Sequence, residues 1–337
     1  MRKKNVLKIS ACCIALGGIL ALAGCSMMGF NVGNVSNQKV NVKEYQVQES
    51  FASVKIDVST TDVRFIASQD DTTKVVCTEK ERQEHSVCVQ DDTLQITMLD
   101  TRKWYDHIFD MSRTAIEVYL PATTCVNVTV DGSTGDVFLP QTLSFAEVNI
   151  GISTGDVHIS SPSVQSLSVD LSTGSVEIEN TTVAGTVTVK CTTGDVELQG
   201  IKAGNLTMQT STGDMDLDAV TVTGAIKLTR TTGSADLENV QCMQLSLISD
   251  TGSVEMSNVV ATQKMYVETS TGDVEFNAID APEIQIKTST GEVEGSLQSG
   301  KIFTYKTNTG DVRLPANGDN GTCHIQTDTG DIKITVR

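Results

Sequence analysis

The residues best placed to do chemistry in this chain are carboxylates set at a fixed interval. A Thr-Gly-Asp-apolar tetrapeptide, with Ser or Glu sometimes in the Asp place, recurs eleven times. Asp136, Asp156, Asp195, Asp214, Asp273, Asp311 and Asp331 fill that place, each directly after its glycine (Gly135, Gly155, Gly194, Gly213, Gly272, Gly310 and Gly330). Two chemistries fit such a row. If the copies stack in register, neighbouring carboxylates repel by about 1 kcal/mol per pair even in water-like surroundings, and a cation such as Ca²⁺ would relieve this. Alternatively, each Asp accepts hydrogen bonds from nearby backbone N–H groups and serves the turn. Ser175, Ser234 and Ser253 keep the acceptor while abandoning the charge, and Glu292 takes one copy. That substitution suits a turn and spoils a metal row, and the nine-residue Gly-rich calcium repeat is absent. The Gly-Asp pairs are therefore expected to be structural, with no metal and no cofactor.

Other chemistries have less to stand on. Thr-x-Thr triplets such as Thr210-Ser211-Thr212 and Thr327-Asp328-Thr329 are of the kind that bind ice, but their spacing from the neighbouring apolar residues is even. A continuing strand turns them inward. The four histidines (His85, His107, His158, His324) are scattered singly, and no basic residue recurs beside the Asp row. Hydrolysis or lysis of polysaccharide, the natural enzyme alternative for a parallel β-helix, needs clustered acids or a His-centred nucleophile. Phosphate-loop, zinc and dinucleotide signatures are missing. No catalytic residue is assigned, and the chain is read as not an enzyme.

The elements that hold these residues follow from alignment on the glycine. Seven and five places before it stand apolar residues, from Val128 and Val130 in the first copy to Cys323 and Ile325 in the last. Two places after it every residue is apolar, and four places after it all are except Gly295. Period-two alternation on both sides of a fixed turn means two strands per repeat. The glycines lie 19 or 20 residues apart, too short for a strand and a crossover helix. One such unit cannot bury its own apolar face, so the units must stack into a parallel β-solenoid. Eleven rungs about 4.8 Å apart make a rod of roughly 53 Å. The fold class expected is all-β, a parallel β-solenoid with 19–20 residue rungs and an irregular N-terminal cap. A degenerate copy, Ser59-Thr60-Thr61-Asp62-Val63, lies before the main run. At the far end Lys333 and Arg337 are expected to guard the last edge.

Cysteines test this geometry. Cys125, Cys191, Cys242 and Cys323 fall in rungs at least three apart, about 14 Å, beyond disulfide reach. They are expected to be free thiols; Cys77 and Cys88, flanking a hairpin, are left open.

The first residues read as an address. Arg2, Lys3, Lys4 and Lys8 precede an apolar run from Ile9 to Ala23, and Leu22-Ala23-Gly24-Cys25 resembles the lipobox of bacterial lipoproteins. That resemblance implies diacylglycerol (and palmitate) on Cys25 after removal of residues 1–24. An ordinary secretory signal or a short anchor helix is the other reading. The organisation expected is signal peptide 1–24, tether 25–45, N-terminal strands and cap 46–120, and solenoid 121–337. The chain would be exported and lipid-anchored on the extracytoplasmic side of the membrane.

The Thr-Gly-Asp-Val row, preceded by Ile116-Glu117-Val118-Tyr119-Leu120-Pro121, resembles the bacterial putative-adhesin family of β-strand-repeat domains of unknown function over roughly residues 50–337. Membership implies a solenoid, commonly exported or membrane-anchored, and in some members a part in envelope-stress systems. The 337 residues carry 42 Asp+Glu against 25 Lys+Arg, a net charge of −17. This excludes a nucleic-acid binder, whose footprint would be basic. Removing residues 1–24 leaves −21, since that segment carries four positive charges and no acid. The function expected is binding or scaffolding, as adhesion or envelope-stress sensing; a sensor of cationic antimicrobial peptides is the alternative. Expected partners are the membrane, through the lipid anchor, and an unknown protein, peptide or glycan ligand. End-to-end self-association of the rods is also open. One segment, Arg102–Arg113, holds Trp104, Tyr105 and Phe109 among three basic residues and is either a fold-down cap or a contact loop.

Overall fold

The computed structural model describes residues 41–80, 82–101 and 114–337. Cys25, Trp104, Tyr105 and Phe109 lie outside the described residues. Among those described there is no helix, and strands account for most of the chain.

The glycine row sets the architecture. From Gly135 to Gly330 the eleven glycines have φ between +125° and +154°, a region closed to residues with a Cβ. They stand in one file, each so close to the next that a Cβ on Gly155 would run into the carbonyl of Gly135. Before each glycine a strand such as Lys202–Thr212 joins one sheet; after it a shorter strand such as Met215–Asp218 joins a second. Each pairs in parallel and in register with its equivalents one repeat away: Leu206 with Val187 and Ile226, Met215 with Val196 and Ala235. The apolar alternation points into one shared core, where Val187, Val196, Leu206 and Leu217 are buried.

A second corner, six residues past the glycine, closes the six coils whose glycines run from Gly174 to Gly272. Asn180, Gly200, Ala219, Asn239, Asn258 and Ala278 take φ from +45° to +66° there. The following residue, Ile201, Val220, Val240 or Val259, turns back into the core. The varied identities at this corner, Asn, Gly or Ala, hid it from the repeat alignment.

Coil order departs from chain order at both ends. The degenerate copy belongs to a full coil, Ser53–Ala67, which pairs with Cys125–Thr134 and Val137–Leu139 on one side. On its other side lie Thr93–Asp100 and Thr114–Leu120, which follow it in sequence. At the far end the last coil, Thr322–Thr329 with Ile332–Val336, pairs with Glu283–Thr290 and Val293–Leu297. Its other neighbours are Ile302–Lys306 and Val312–Arg313, which precede it. Both terminal coils are thus seated one place inside the stack. The expectation that Lys333 and Arg337 guard the last edge is corrected: Lys333 pairs with Glu294 on one side and Arg313 on the other, and the edge belongs to residues 302–313. A strand hydrogen-bonded on both sides satisfies twice the backbone groups of an edge strand, which favours tucking the chain's last coil inward.

Candidate binding surface

The Asp row is part of the turn machinery. Asp136, Asp156, Asp195, Asp214, Asp273 and Asp331 each accept, through Oδ1, the backbone N–H of the equivalent residue one coil on, at 2.5 to 2.9 Å. Asp62 of the degenerate copy does the same for Asp136 at 3.0 Å. The bond runs between coils, so each carboxylate clamps two turns together. The N–H of Asp311, with the Lys333 ammonium beside it, holds the Asp331 carboxyl below the usual carboxylate range. Among the described residues no group of three or more His, Cys, Asp or Glu is arranged to hold a metal.

Three places before the glycine, the side chains point inward as the strand parity requires. Thr210, Thr269, Thr288 and Thr327 are buried there, in line with Ile152, Leu171 and Cys191 of earlier coils. The Thr288 and Thr327 hydroxyls donate to the carbonyls of Gly272 and Gly291, stitching strand to turn. Arg230 occupies the same column and is 3 % exposed. Its Nε donates to Ser249 Oγ at 2.9 Å and its Nη2 to the Ser253 carbonyl at 2.6 Å, while Nη1 has no partner among the described residues. Burial, only partly offset by the charge of Asp214, pushes this guanidinium down to about 10.

A Cys-His-Glu grouping that the sequence spacing did not suggest forms near the N-terminal strands. Buried Glu79 takes the Lys43 ammonium at 2.7 Å and the backbone N–H of His85 at 2.7 Å, with the His85 ring 3.6 Å away. Cys77 shares this strand, but burial pushes its thiol up to about 12, so it stays protonated and unreactive at neutral pH. Burial also lowers the His85 imidazole, keeping it neutral. The group packs the cap and lacks an activated nucleophile. Cys77, Cys125, Cys191, Cys242 and Cys323 are free thiols, so the Cys77–Cys88 bridge is not formed. Those two residues sit in different sheets, Cys77 opposite Ile116 and Cys88 opposite Gln95.

The surface feature that stands out was not singled out in the sequence. Three places after the glycine, one residue per coil points outward from the second sheet. In register this file reads Phe138, His158, Glu177, Glu197, Asp216, Asp236, Glu255, Glu275 and Glu294, then Lys333 and Arg313. Seven consecutive carboxylates about 4.8 Å apart extend over roughly 29 Å. At that spacing each adjacent pair repels by about 1 kcal/mol in water. Partial burial, with Asp214 and Asp236 beside it, raises the Asp216 carboxyl above its ordinary value. One end of the file is tied off: Phe138 stacks on His158 at 5.1 Å, and His158 Nδ1 lies 2.8 Å from Glu177. At the other end, Asp236, Glu255, Glu275, Glu294 and Lys333 line an open groove. The repeat alignment, read three places past the glycine, contains this file; attention to the Asp directly after the glycine passed it over.

Comparison with known proteins gives one family model, Toastrack DUF4097, matching residues 51–242 and 235–337. No curated protein matches. Among solved structures, a putative adhesin from Bacteroides fragilis is 16 % identical, with 88 % of this chain and 97 % of that chain covered and a TM-score of 0.34. A putative lipid binding protein from Parabacteroides distasonis is 15 % identical, covering 76 % and 97 %, with a TM-score of 0.45. A putative adhesin from Parabacteroides merdae is 14 % identical, covering 77 % and 97 %, with a TM-score of 0.40.

Proposed function

The chain belongs to the Toastrack DUF4097 family, and from that premise we propose that it is a non-catalytic binding and scaffold rod of the cell envelope. In this reading diacylglycerol on Cys25 holds it at the extracytoplasmic face of the membrane. The solenoid serves adhesion or envelope-stress sensing. The observation that carries the reading is the outward file from Glu177 to Glu294. A rigid backbone fixes seven carboxylates in a line without a counter-charge for each, and nothing in the fold requires acids there. Side chains three places after the glycine face solvent, where any polar residue would serve. Their arrangement also speaks against the polysaccharide-cleaving alternative. Acids in one straight row, all pointing the same way, do not converge on a bond as general acid and base must.

The acidic file gives specific support to the reading of the protein as a sensor of cationic antimicrobial peptides. A linear array with repulsion built into it gains most from an extended polycation, which meets several carboxylates at once. Binding of a cationic amphipathic peptide and of a neutral control of equal hydrophobicity tests this. We expect the cationic peptide alone to bind, with affinity falling about tenfold or more between low and physiological salt. Replacing Asp236, Glu255 and Glu275 together by their amides should remove most of that binding while leaving the melting temperature unchanged or higher. Binding that ignores salt and the triple replacement would overturn the electrostatic reading. A pull-down from envelope extracts would then be left to identify an uncharged ligand.

A further inference from the structure

We propose that two copies of this chain associate through their C-terminal ends, edge against edge, about a two-fold axis. The outermost coil there is Ile302–Lys306 and Val312–Arg313: among the described residues Val312–Arg313 pairs on one side only, and the outer side of Ile302–Lys306 is met only at its start, where the Phe303 N–H donates to Asn317 Oδ1 at 3.0 Å beside the Gly318–Lys301 bond. It also exposes apolar side chains: Ile302 is 49 % and Tyr305 56 % exposed, whereas Val267 and Ile286, which hold the Tyr305 position in other coils, are buried. Its protection is partial: the strand is short and ends in Lys306, but no proline or inward charge interrupts Ile302–Lys306.

The Asp file specifies what the edge accepts. Each Asp directs Oδ1 toward the coil that stacks next in the file and takes an N–H from it; Asp331 takes that of Asp311. Asp311 is last in the file, so its carboxylate faces off the end, where the described residues supply no donor. Two residues on stands Arg313, also exposed, and neither makes an ion pair among the described residues. Antiparallel pairing about an axis at Val312 sets each Asp311 opposite the partner's Arg313, twice over. Charge favours this end as well. Residues 302–313 carry Lys306 and Arg313 against Asp311, a net +1 in a chain of −17, so the repulsion that keeps two such rods apart is weakest here. A second copy is the one partner certain to bring the same edge with the complementary order of charges.

Sedimentation of the full chain, in detergent whose micelles are density-matched, tests the proposal. We expect a dimer at tens of micromolar that dissociates on dilution to a monomer, with no larger species. Asp311→Arg and Arg313→Asp should each weaken the dimer about tenfold or more. The double swap should restore it, and circular dichroism should show all three variants folded. Tyr305→Asp, at an exposed position, should weaken it independently. A monomer throughout the concentration range, an open-ended series of larger species, or single swaps that dimerise like the parent chain would each overturn the proposal.

Discussion

Glycine at the repeated turn is required for two separate reasons: φ lies in the region that excludes a Cβ, and the carbonyl of the neighbouring glycine fills the space that a Cβ would take. Gly213→Ala is expected to destabilise the fold by about 1–3 kcal/mol from backbone strain alone, with the steric collision adding to it. Denaturant titration measures this. Arg230 makes the opposite case. Thr fills the same column at 210, 269, 288 and 327, whereas Arg230 brings a buried charge with an unpartnered nitrogen. Arg230→Thr is therefore expected to stabilise, by about 1 kcal/mol, because the desolvated charge is removed; an unmet hydroxyl, as at Thr210 and Thr269, costs less than an unmet guanidinium, and at Thr288 the hydroxyl reaches a turn carbonyl. A fall in midpoint for this variant would show that the guanidinium's bonds to Ser249 and Ser253 outweigh its desolvation.

At the level of the coil, stacking makes each element depend on its neighbours. The last coil, 322–336, lies between 283–297 and 302–313, and among the described residues no other strand pairs with the latter. A chain ending at Gly321 should therefore lose two coils of structure rather than one. Hydrogen exchange should show amides of 302–313 unprotected, while the coils before Gly252 keep their protection. Retained protection at 302–313 would mean that this segment can dock directly on 283–297. The exception four places after the glycine is also a matter between coils. The Phe276 ring lies across Gly295, so the missing side chain of one coil makes room for the large one of the next. Gly295→Val is accordingly expected to be strongly destabilising although it restores the apolar pattern.

Across the whole molecule, the surface charge opposes the fold that displays it. Asp216 sits within the acidic file with its carboxyl raised by partial burial and by its neighbours. A raised carboxyl binds its proton more tightly in the folded than in the unfolded chain, so its contribution favours the fold at low pH and is lost as pH rises through that window. Asp331, lowered by its bonds, works in the reverse sense and loses its contribution on acidification. Asp216→Asn should therefore raise the melting temperature at neutral pH, with the gain shrinking toward pH 4 and below. A gain that does not depend on pH would assign the effect to packing instead. The same substitution should weaken cationic-peptide binding, since the repulsion relieved by the amide is the repulsion that a polycation would relieve.

The repeat, its in-register stacking and the inner faces of the strands are readable from the order of residues alone. Each of these is local: glycine φ, period-two alternation and a constant interval admit one arrangement of neighbouring coils. The positions seven and five before the glycine, from Val128 and Val130 onward, and the inward threonines are all readable in this way. The turn role of the Asp row was legible too, because Ser175, Ser234 and Ser253 showed which property of Asp mattered. Tertiary structure alone decided which coils lie at the ends. Residues 283–297 have equally suitable partners in 302–313 and 322–336, since both carry the same repeat. Choosing between them depends on the loop that must cross and on which strands end up paired on both sides. The bringing together of Cys77, Glu79 and His85 was likewise beyond the pattern, because those strands pair antiparallel outside the repeat and no fixed interval relates them.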